Sequence, residues 1–340
     1  MIRKRAEMFD SNIRLDDKMA GKIIGYGSYL PSKKLSNEDL SHMVETNNEW
    51  IVERTGIESR NISDPNVETT SYMASEAAIK AIENAGIDAK EIDLIIVATT
   101  TPNYVFPSMS CIVQRETGAI NSACFDLNSA CPGFVTAFNT AQAYINAGQY
   151  ETILVVGSEC MSNYTDWKDR GTCILFGDGA GAIVLKKNEK VECDFIMRAS
   201  GKRGDCLHCE SAMQDVEQTD AFKESIYMRM KGQEVFKFAV TEVPKVIEDL
   251  LAKIGKEAKE IDLYVLHQAN KRIIESVSKR LKVDILKFPM NIQNTGNTSS
   301  ASIPVLLDEL RKKGELKEGM KLVLSSFGGG LSWGATYIEL

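Results

Sequence analysis

Three residues far apart in this chain have the right chemistry to act together on a thioester. They are a cysteine at a helix start, a histidine at a strand end and an asparagine ahead of a helix. Cys131 stands in Asn128-Ser129-Ala130-Cys131-Pro132-Gly133-Phe134, and proline is favoured at the first position of a helix. The stretch GFVTAFNTAQAYINAG that follows carries apolar residues at helical spacing and stops at Gly148. The spacing therefore predicts Cys131 at a helix N-terminus, where unpaired amides and the macrodipole favour a thiolate. A thiolate attacks a carbonyl or a thioester. A small buried cysteine packed beneath a helix is the competing reading, and the flanking small residues and the partners below weigh against it.

His267 is one of three histidines, with His42 and His208. It ends the apolar run IDLYVLH and begins HQANKRII. The carboxyl end of a buried strand faces the crevice where α/β proteins bind ligands. Asn297 lies in NTGNTSSAS, between Gly296 and Thr298 and just before another helical run. Asn, Thr and Ser all cap helices, so Thr298 can serve as the cap while Asn297 serves a site. A thiolate accepts an acyl group. An imidazole and an amide then donate to the thioester oxygen of a second substrate. With a malonyl thioester, decarboxylation leaves an enolate whose carbon attacks the acyl-cysteine. The Gly328-Gly329-Gly330 turn can bring an amide close to the acyl carbonyl because it lacks Cβ atoms.

The elements that must position these residues repeat. AGIDAKEIDLIIVA (85–98) reads like IGKEAKEIDLYVLH (254–267), and AGQYETILVVGS (147–158) like KGELKEGMKLVLSS (313–326). Both halves close in Gly-rich turns leading to strands, FGDGAGAIVL (176–185) and FGGGLSWGATYIEL (327–340). Apolar strands such as DLIIVAT and TILVVGS alternate with apolar helices at 71–86 and 237–255, which predicts layered α/β structure with buried sheets. The repeat spans half the chain, so two similar halves packed face to face are expected rather than a solenoid. Their boundary falls in the polar turn KKNEK, dividing the chain into 19–190 and 191–340. Residues 1–18 are charged and read as a disordered extension.

Composition is globular, with 44% apolar and 26% charged residues. No run is long and apolar enough to span a bilayer. The net charge of −7 argues against general affinity for nucleic acid. Eight cysteines without framework spacing, and no signal peptide, point to a reducing cytoplasm.

Taken together, GYGSYLP, EWIVERTGI, DRGT, GDGAGA, EVFKFAV, HQAN, GNTSSAS and FGGGLSWG give the chain, from about Lys22 to Leu340, a resemblance to the β-ketoacyl-acyl carrier protein synthase III family. The resemblance implies a thiolase-like, layered αβαβα fold from two duplicated halves. It makes Cys131 the nucleophile, His267 and Asn297 the decarboxylating pair, the amides of Cys131 and Gly329 the oxyanion hole, and Phe327 a neighbour of the site. Degradative thiolases need a second cysteine near the C-terminus, whereas the last one here is Cys209. Elongating synthases use Cys-His-His, and after His208 only His267 remains.

Trp50 and Arg54 are four residues apart, as an aromatic and a cation on one helix face. By resemblance Trp50, Arg54 and Arg170 contact coenzyme A, together with Thr46, and Gly232 and Asn270 line the pantetheine tunnel. Arg272, Lys279 and Arg280 share a face of KRIIESVSKR and are candidates for docking an acidic carrier protein. Phe106 matches a position that reaches across a dimer to close the partner's acyl pocket, which favours a short primer. Cys206-Leu207-His208-Cys209 lacks a second ligand pair at zinc spacing, so no metal is expected.

The expectation is a cytoplasmic, homodimeric acyltransferase that initiates fatty-acid synthesis from acyl-CoA and malonyl-acyl carrier protein. It would use no metal or redox cofactor, with coenzyme A thioester as substrate, and bind neither membrane nor nucleic acid. Two alternatives stay open: a related synthase of specialised metabolism with another primer or acceptor, and a non-catalytic acyl-CoA-binding subunit. A hydroxymethylglutaryl-CoA synthase would need a catalytic carboxylate where the motifs point to Asn297.

Overall fold

A computed structural model describes residues 19–210 and 227–340, so the expected extension at 1–18 lies outside the described residues. The first half runs β1 (Ala20–Tyr29), β2 (Lys34–Ser36), α1 (Asn37–Ser41), α2 (Asn48–Thr55), β3 (Ser59–Asn61), α3 (Thr70–Ala85) and β4 (Leu94–Ala98). It continues through α4 (Met109–Thr117), β5 (Ala123–Leu127), α5 (Gly133–Asn146), β6 (Thr152–Cys160) and β7 (Asp178–Asn188). The second half runs β8 (Cys193–Ala199), β9 (Leu207–His208), β10 (Arg229–Met230), α6 (Gly232–Ile254) and β11 (Leu263–Leu266). It ends with α7 (Lys271–Leu281), α8 (Ile292–Thr295), α9 (Ser302–Lys312), β12 (Lys321–Gly328) and β13 (Ser332–Glu339).

The first sheet has the order β1-β7-β6-β4-β5 and the second β11-β12-β13-β8. Strands β4 and β6 are buried along their whole length, because helices cover both faces of their sheet. Alternate residues of β4 divide between those faces. Ile95 and Val97 pack outward with Met73, Ala77 and Val113 of α3 and α4. Ile96 packs inward with Phe134 and Phe138 of α5 and Leu306 and Leu310 of α9, in a core that also takes Leu322, Leu324 and Ile338 from the second sheet. On the far face of that sheet, Val246 and Leu250 of α6 and Val277 of α7 meet Tyr264, Val323 and Tyr337. The layers are therefore αβαβα, as the resemblance implies.

The duplication is plain in the backbone. Helix α3 ends at Gly86 with φ 67° and ψ 30°, and α6 ends at Gly255 with the same angles. A reciprocal capping box follows each, Asp88 with Glu91 and Glu257 with Glu260. Each box leads into the strand that sits at the equivalent place, β4 or β11.

Three local expectations change. GDGAGA is not a turn: β7 begins at Asp178, within it. Its glycines serve close packing, since a Cβ on Gly181 would lie 2.6 Å from the Val305 nitrogen of α9. The polar run KKNEK is mostly strand, with Lys186, Lys187 and Asn188 completing β7 against β1. Helix α6 begins at Gly232, a full turn before the apolar periodicity becomes clear.

Candidate active site

Cys131 sits where the two halves touch. Ala130 before it takes a left-handed φ of 48°, which throws the next residue sharply into α5. Pro132 is the N-cap of that helix rather than its first residue, and it offers no side-chain cap. From the other half, β12 passes so close that a Cβ on Gly328 would lie 2.8 Å from the Cys131 Cβ. Ser326 of β12 donates to the Cys131 carbonyl at 3.0 Å. The nucleophile's turn is thus pinned from both sides.

His267 follows β11 directly, and its N–H donates to the Ser325 carbonyl at 2.8 Å, continuing the parallel ladder by one residue. Its ring packs edge-on against Phe327, with centroids 5.7 Å apart. Ser302 Oγ accepts the Gln268 N–H at 3.4 Å and lies 2.7 Å from His267 Nδ1. With the Ser302 hydroxyl donating to Nδ1, the ring proton is on Nε2. Burial also holds the ring neutral, with its pKa pushed down to about 3.

Asn297 is threaded against the first half, its N–H donating to the Leu175 carbonyl at 2.8 Å and its carbonyl accepting from Gly177 N–H at 3.0 Å. Its Oδ1 accepts the Ser299 N–H at 2.9 Å, which leaves Nδ2 as the donor for the cavity. Thr298 holds the N-cap position of the short turn Ser299–Ala301 but makes no side-chain cap bond. Asn297 makes the cap bond, and the buried Thr298 hydroxyl has no partner among the described residues.

Cys131, His267, Asn297, Phe327 and Gly329 line one cavity of about 250 Å³, joined by Gly232 and Asn270. Among the described residues neither the Cys131 nor the Gly329 N–H donates to another residue, so both are available to a developing oxyanion. The expected thiolate is not the resting state. Burial pushes the Cys131 thiol up to about 11, aided by the Glu159 carboxylate and opposed by a hydrogen bond from Ser299. Removal from water is the largest cause of that rise.

Outside the cavity lining, the guanidiniums of Arg54 and Arg170 stack 4.6 and 4.8 Å from the Trp50 ring centre. Arg170 also donates to the Glu45 carbonyl at 3.1 Å, next to Thr46, whose buried hydroxyl is unpartnered among the described residues. These four residues do not line the cavity, but Asn270 Nδ2 ties them to it by donating to the Arg54 carbonyl at 2.9 Å. Arg272, Lys279 and Arg280 are exposed on α7, and the Arg272 guanidinium lies 5.5 Å from the ring centre of Phe236, a lining residue. Phe106 is 83% exposed, on a loop tip with Tyr104 and Val105, and does not reach the cavity of its own chain. Cys206 donates to Glu234 at 3.2 Å, and among the described residues no group of three or more His, Cys, Asp or Glu side chains could hold a metal.

Sequence reading missed three side chains at the site. Ser302 and Ser299 fell in TSSAS, which reads as capping residues. Glu159 is a lone carboxylate in the apolar run ILVVGSEC, and a charge inside a buried strand was a usable signal.

Two family models match the chain: 3-oxoacyl-(acyl-carrier-protein) synthase III over residues 125–204, and the C-terminal part of the same synthase over 251–340. A curated relative from Clostridium acetobutylicum, named beta-ketoacyl-(acyl-carrier-protein) synthase III, is 49% identical over 326 residues, covering 94% of this chain and 98% of its own. The crystal structure of the 3-oxoacyl-(acyl-carrier-protein) synthase III of Aquifex aeolicus superposes with a TM-score of 0.88 at 42% identity, covering 94% of this chain and 100% of that one. The priming β-ketosynthase of the R1128 polyketide biosynthetic pathway superposes at 0.90 with 34% identity, covering 97% and 98%.

The neutral His267 has a direct spectroscopic consequence. Its imidazole signals in a histidine-labelled NMR sample are expected to hold their positions between about pH 5 and 8. A titration midpoint inside that range would mean that water reaches the ring.

Proposed function

The chain belongs to the 3-oxoacyl-(acyl-carrier-protein) synthase III family of acyltransferases, and from that premise we propose how its own residues carry out the initiating condensation of type II fatty-acid synthesis. An acyl-CoA enters past Trp50, Arg54 and Arg170, with Thr46 beside them, and its pantetheine arm runs past Gly232 and Asn270. The Cys131 sulfur adds to the thioester carbonyl, and the resulting oxyanion takes the N–H groups of Cys131 and Gly329. Coenzyme A departs as the thiol, leaving an S-acyl cysteine.

Malonyl-acyl carrier protein then occupies the same cavity. Its thioester oxygen lies between His267 Nε2–H and Asn297 Nδ2–H. The bond to the carboxylate breaks, CO2 leaves, and the electron pair becomes an enolate held by those two donors. The enolate carbon attacks the acyl carbonyl, and Cys131 is expelled as the thiolate with formation of the 3-oxoacyl product; a proton from solvent then restores the thiol. The observation that carries this reading is the pair of neutral side chains, His267 held at Nδ1 by the Ser302 hydroxyl and Asn297 with its amide oriented by the Ser299 N–H, both lining the cavity of the cysteine. Neutral donors suit an enolate that forms and is consumed, since a full positive charge would hold it too strongly.

The loop tip of Tyr104, Val105 and Phe106 is exposed, and β5 has a sheet partner on one edge only; both suit a homodimer in which Phe106 closes the partner's acyl pocket and restricts the primer to a short chain. An unpaired edge strand beside apolar side chains is a surface that a second copy can cover. A measured solution mass of two chains is expected, and one chain would contradict it. Among the described residues no helix is long and apolar enough to cross a membrane. The alternative in specialised metabolism is weakened by the many relatives named for the fatty-acid enzyme, although the polyketide priming synthase shares the fold.

Two sets of variants test the reading. His267→Ala and Asn297→Ala should each retain acyl transfer to Cys131 and lose CO2 release by about a hundredfold or more; loss of acyl transfer alone would contradict their roles. Reversing Arg272 and Arg280 to Glu should raise KM for malonyl-acyl carrier protein about tenfold while leaving acyl transfer from acyl-CoA intact. An unchanged KM would put the carrier's docking surface elsewhere.

A further inference from the structure

One buried carboxylate has no part in the chemistry described so far. Glu159, the last residue but one of β6, has no exposure at all. Its Oε2 accepts from the Thr100 N–H and from the Thr100 and Thr101 hydroxyls, each at 3.0 Å, and from Thr99 at 3.3 Å. Its Oε1 accepts from Ser300 at 2.7 Å and from Ser299 at 3.2 Å. The same Ser299 hydroxyl lies 3.6 Å from Cys131 Sγ. Ser299 also adopts a left-handed φ of 51°, uncommon outside glycine, while its N–H fixes Asn297. The chain of contacts is Cys131, Ser299, Glu159.

A hydroxyl has one proton and cannot donate to both neighbours at once. Burial raises the Glu159 carboxyl, and the hydrogen bonds from Ser300, Thr100 and Thr101 oppose that rise; with Glu159 ionised, Ser299 donates to Oε1 and accepts the Cys131 S–H. With the proton on Glu159, every bond reverses: Oε1–H donates to Ser299, and Ser299 donates to the thiolate. The two states differ by moving one proton from sulfur to carboxylate, and both leave one negative charge in the same buried cluster. No charge has to be brought in from water, which is the costly step at a dry site. Among the described residues no Lys, Arg or Asp lines the cavity, so no fixed cation is there to hold a bare thiolate. The ionisable groups facing the cluster are His267, after β11; Tyr164, His208 and Cys209, which line the same cavity; and Cys160, next to Glu159.

We infer that Ser299 is a further catalytic residue, and Glu159 the positioning residue behind it, in the acylation of Cys131. As the sulfur forms its bond to the acyl carbon, its proton passes to Ser299 Oγ, and the proton of that hydroxyl passes to Glu159 Oε1. When the bond to coenzyme A breaks, the relay runs backward and delivers the proton to the departing sulfur. Coenzyme A therefore leaves as the thiol, Glu159 returns to the carboxylate, and no external base is required. His267 stays a neutral donor for the second half-reaction. This inference rests on Cys131 being the nucleophile.

The decisive variant is Ser299→Gly. Glycine suits the left-handed φ and keeps the N–H that holds Asn297, so only the hydroxyl is lost. Glu159→Gln is the companion, because the amide fills the same space but cannot take the proton. Single-turnover acylation, read by intact mass over roughly pH 6 to 9, should be slowed about a hundredfold near neutrality in both. The residual rate should climb about tenfold per pH unit as hydroxide takes over the proton. KM for acyl-CoA and the melting temperature of Ser299→Gly should stay near wild type. Should Glu159→Gln fail to fold, Ser299→Gly decides alone. A wild-type rate and pH profile in Ser299→Gly would overturn the relay, and so would an equal loss at every pH. Absence of any adduct on the wild-type protein would instead refute Cys131 as the nucleophile.

Discussion

The site depends on the contact between the start of α5 and strand β12. Each belongs to a different half of the molecule, and the Gly328 backbone approaches Cys131 so closely that even a methyl group would collide. That contact fixes the sulfur, and it also removes the sulfur from water. His267 is placed from the second half and Asn297 is stitched into the first, so the same closure brings both donors to the cysteine. A site assembled across the junction of two packed halves gains rigidity from both cores. Its geometry need not be held by a loop.

Dryness has an electrostatic consequence. The burial that raises the Cys131 thiol to about 11 pushes His267 down to about 3. The resting site therefore holds a neutral thiol and a neutral imidazole. A neutral imidazole suits the second half-reaction, where an oxyanion must be stabilised and then released. A neutral thiol is a handicap in the first, because the thiolate is the nucleophile. The helix start supplies a favourable dipole but no acceptor for the proton. The hydroxyl of Ser299, backed by a buried carboxylate, supplies one within hydrogen-bonding reach.

The three central residues were legible in the sequence because each lies at a punctuation point. Cys131 precedes a proline, His267 ends an apolar strand, and Asn297 follows a glycine ahead of a helix. The duplication was legible for a similar reason: Gly86 and Gly255 close equivalent helices, and each is followed by an acidic capping segment. The protonation state of Cys131 was not legible. It is set by burial, which depends on a strand some two hundred residues away closing over the turn. The partnership of Glu159 with Ser299 joins residues separated by 140 positions, and no local pattern marks it. GDGAGA misled for a related reason. Its glycines look like turn residues, yet they lie in and beside a strand against which a helix backbone packs.

Both half-reactions depend on the cysteine. Intact mass spectrometry after incubation with a panel of acyl-CoAs tests it most directly, with Cys131→Ser alongside. The protein should gain the mass of a single acyl group, and the variant should gain none. An adduct that persists in Cys131→Ser, or no adduct with any acyl-CoA, would contradict the account.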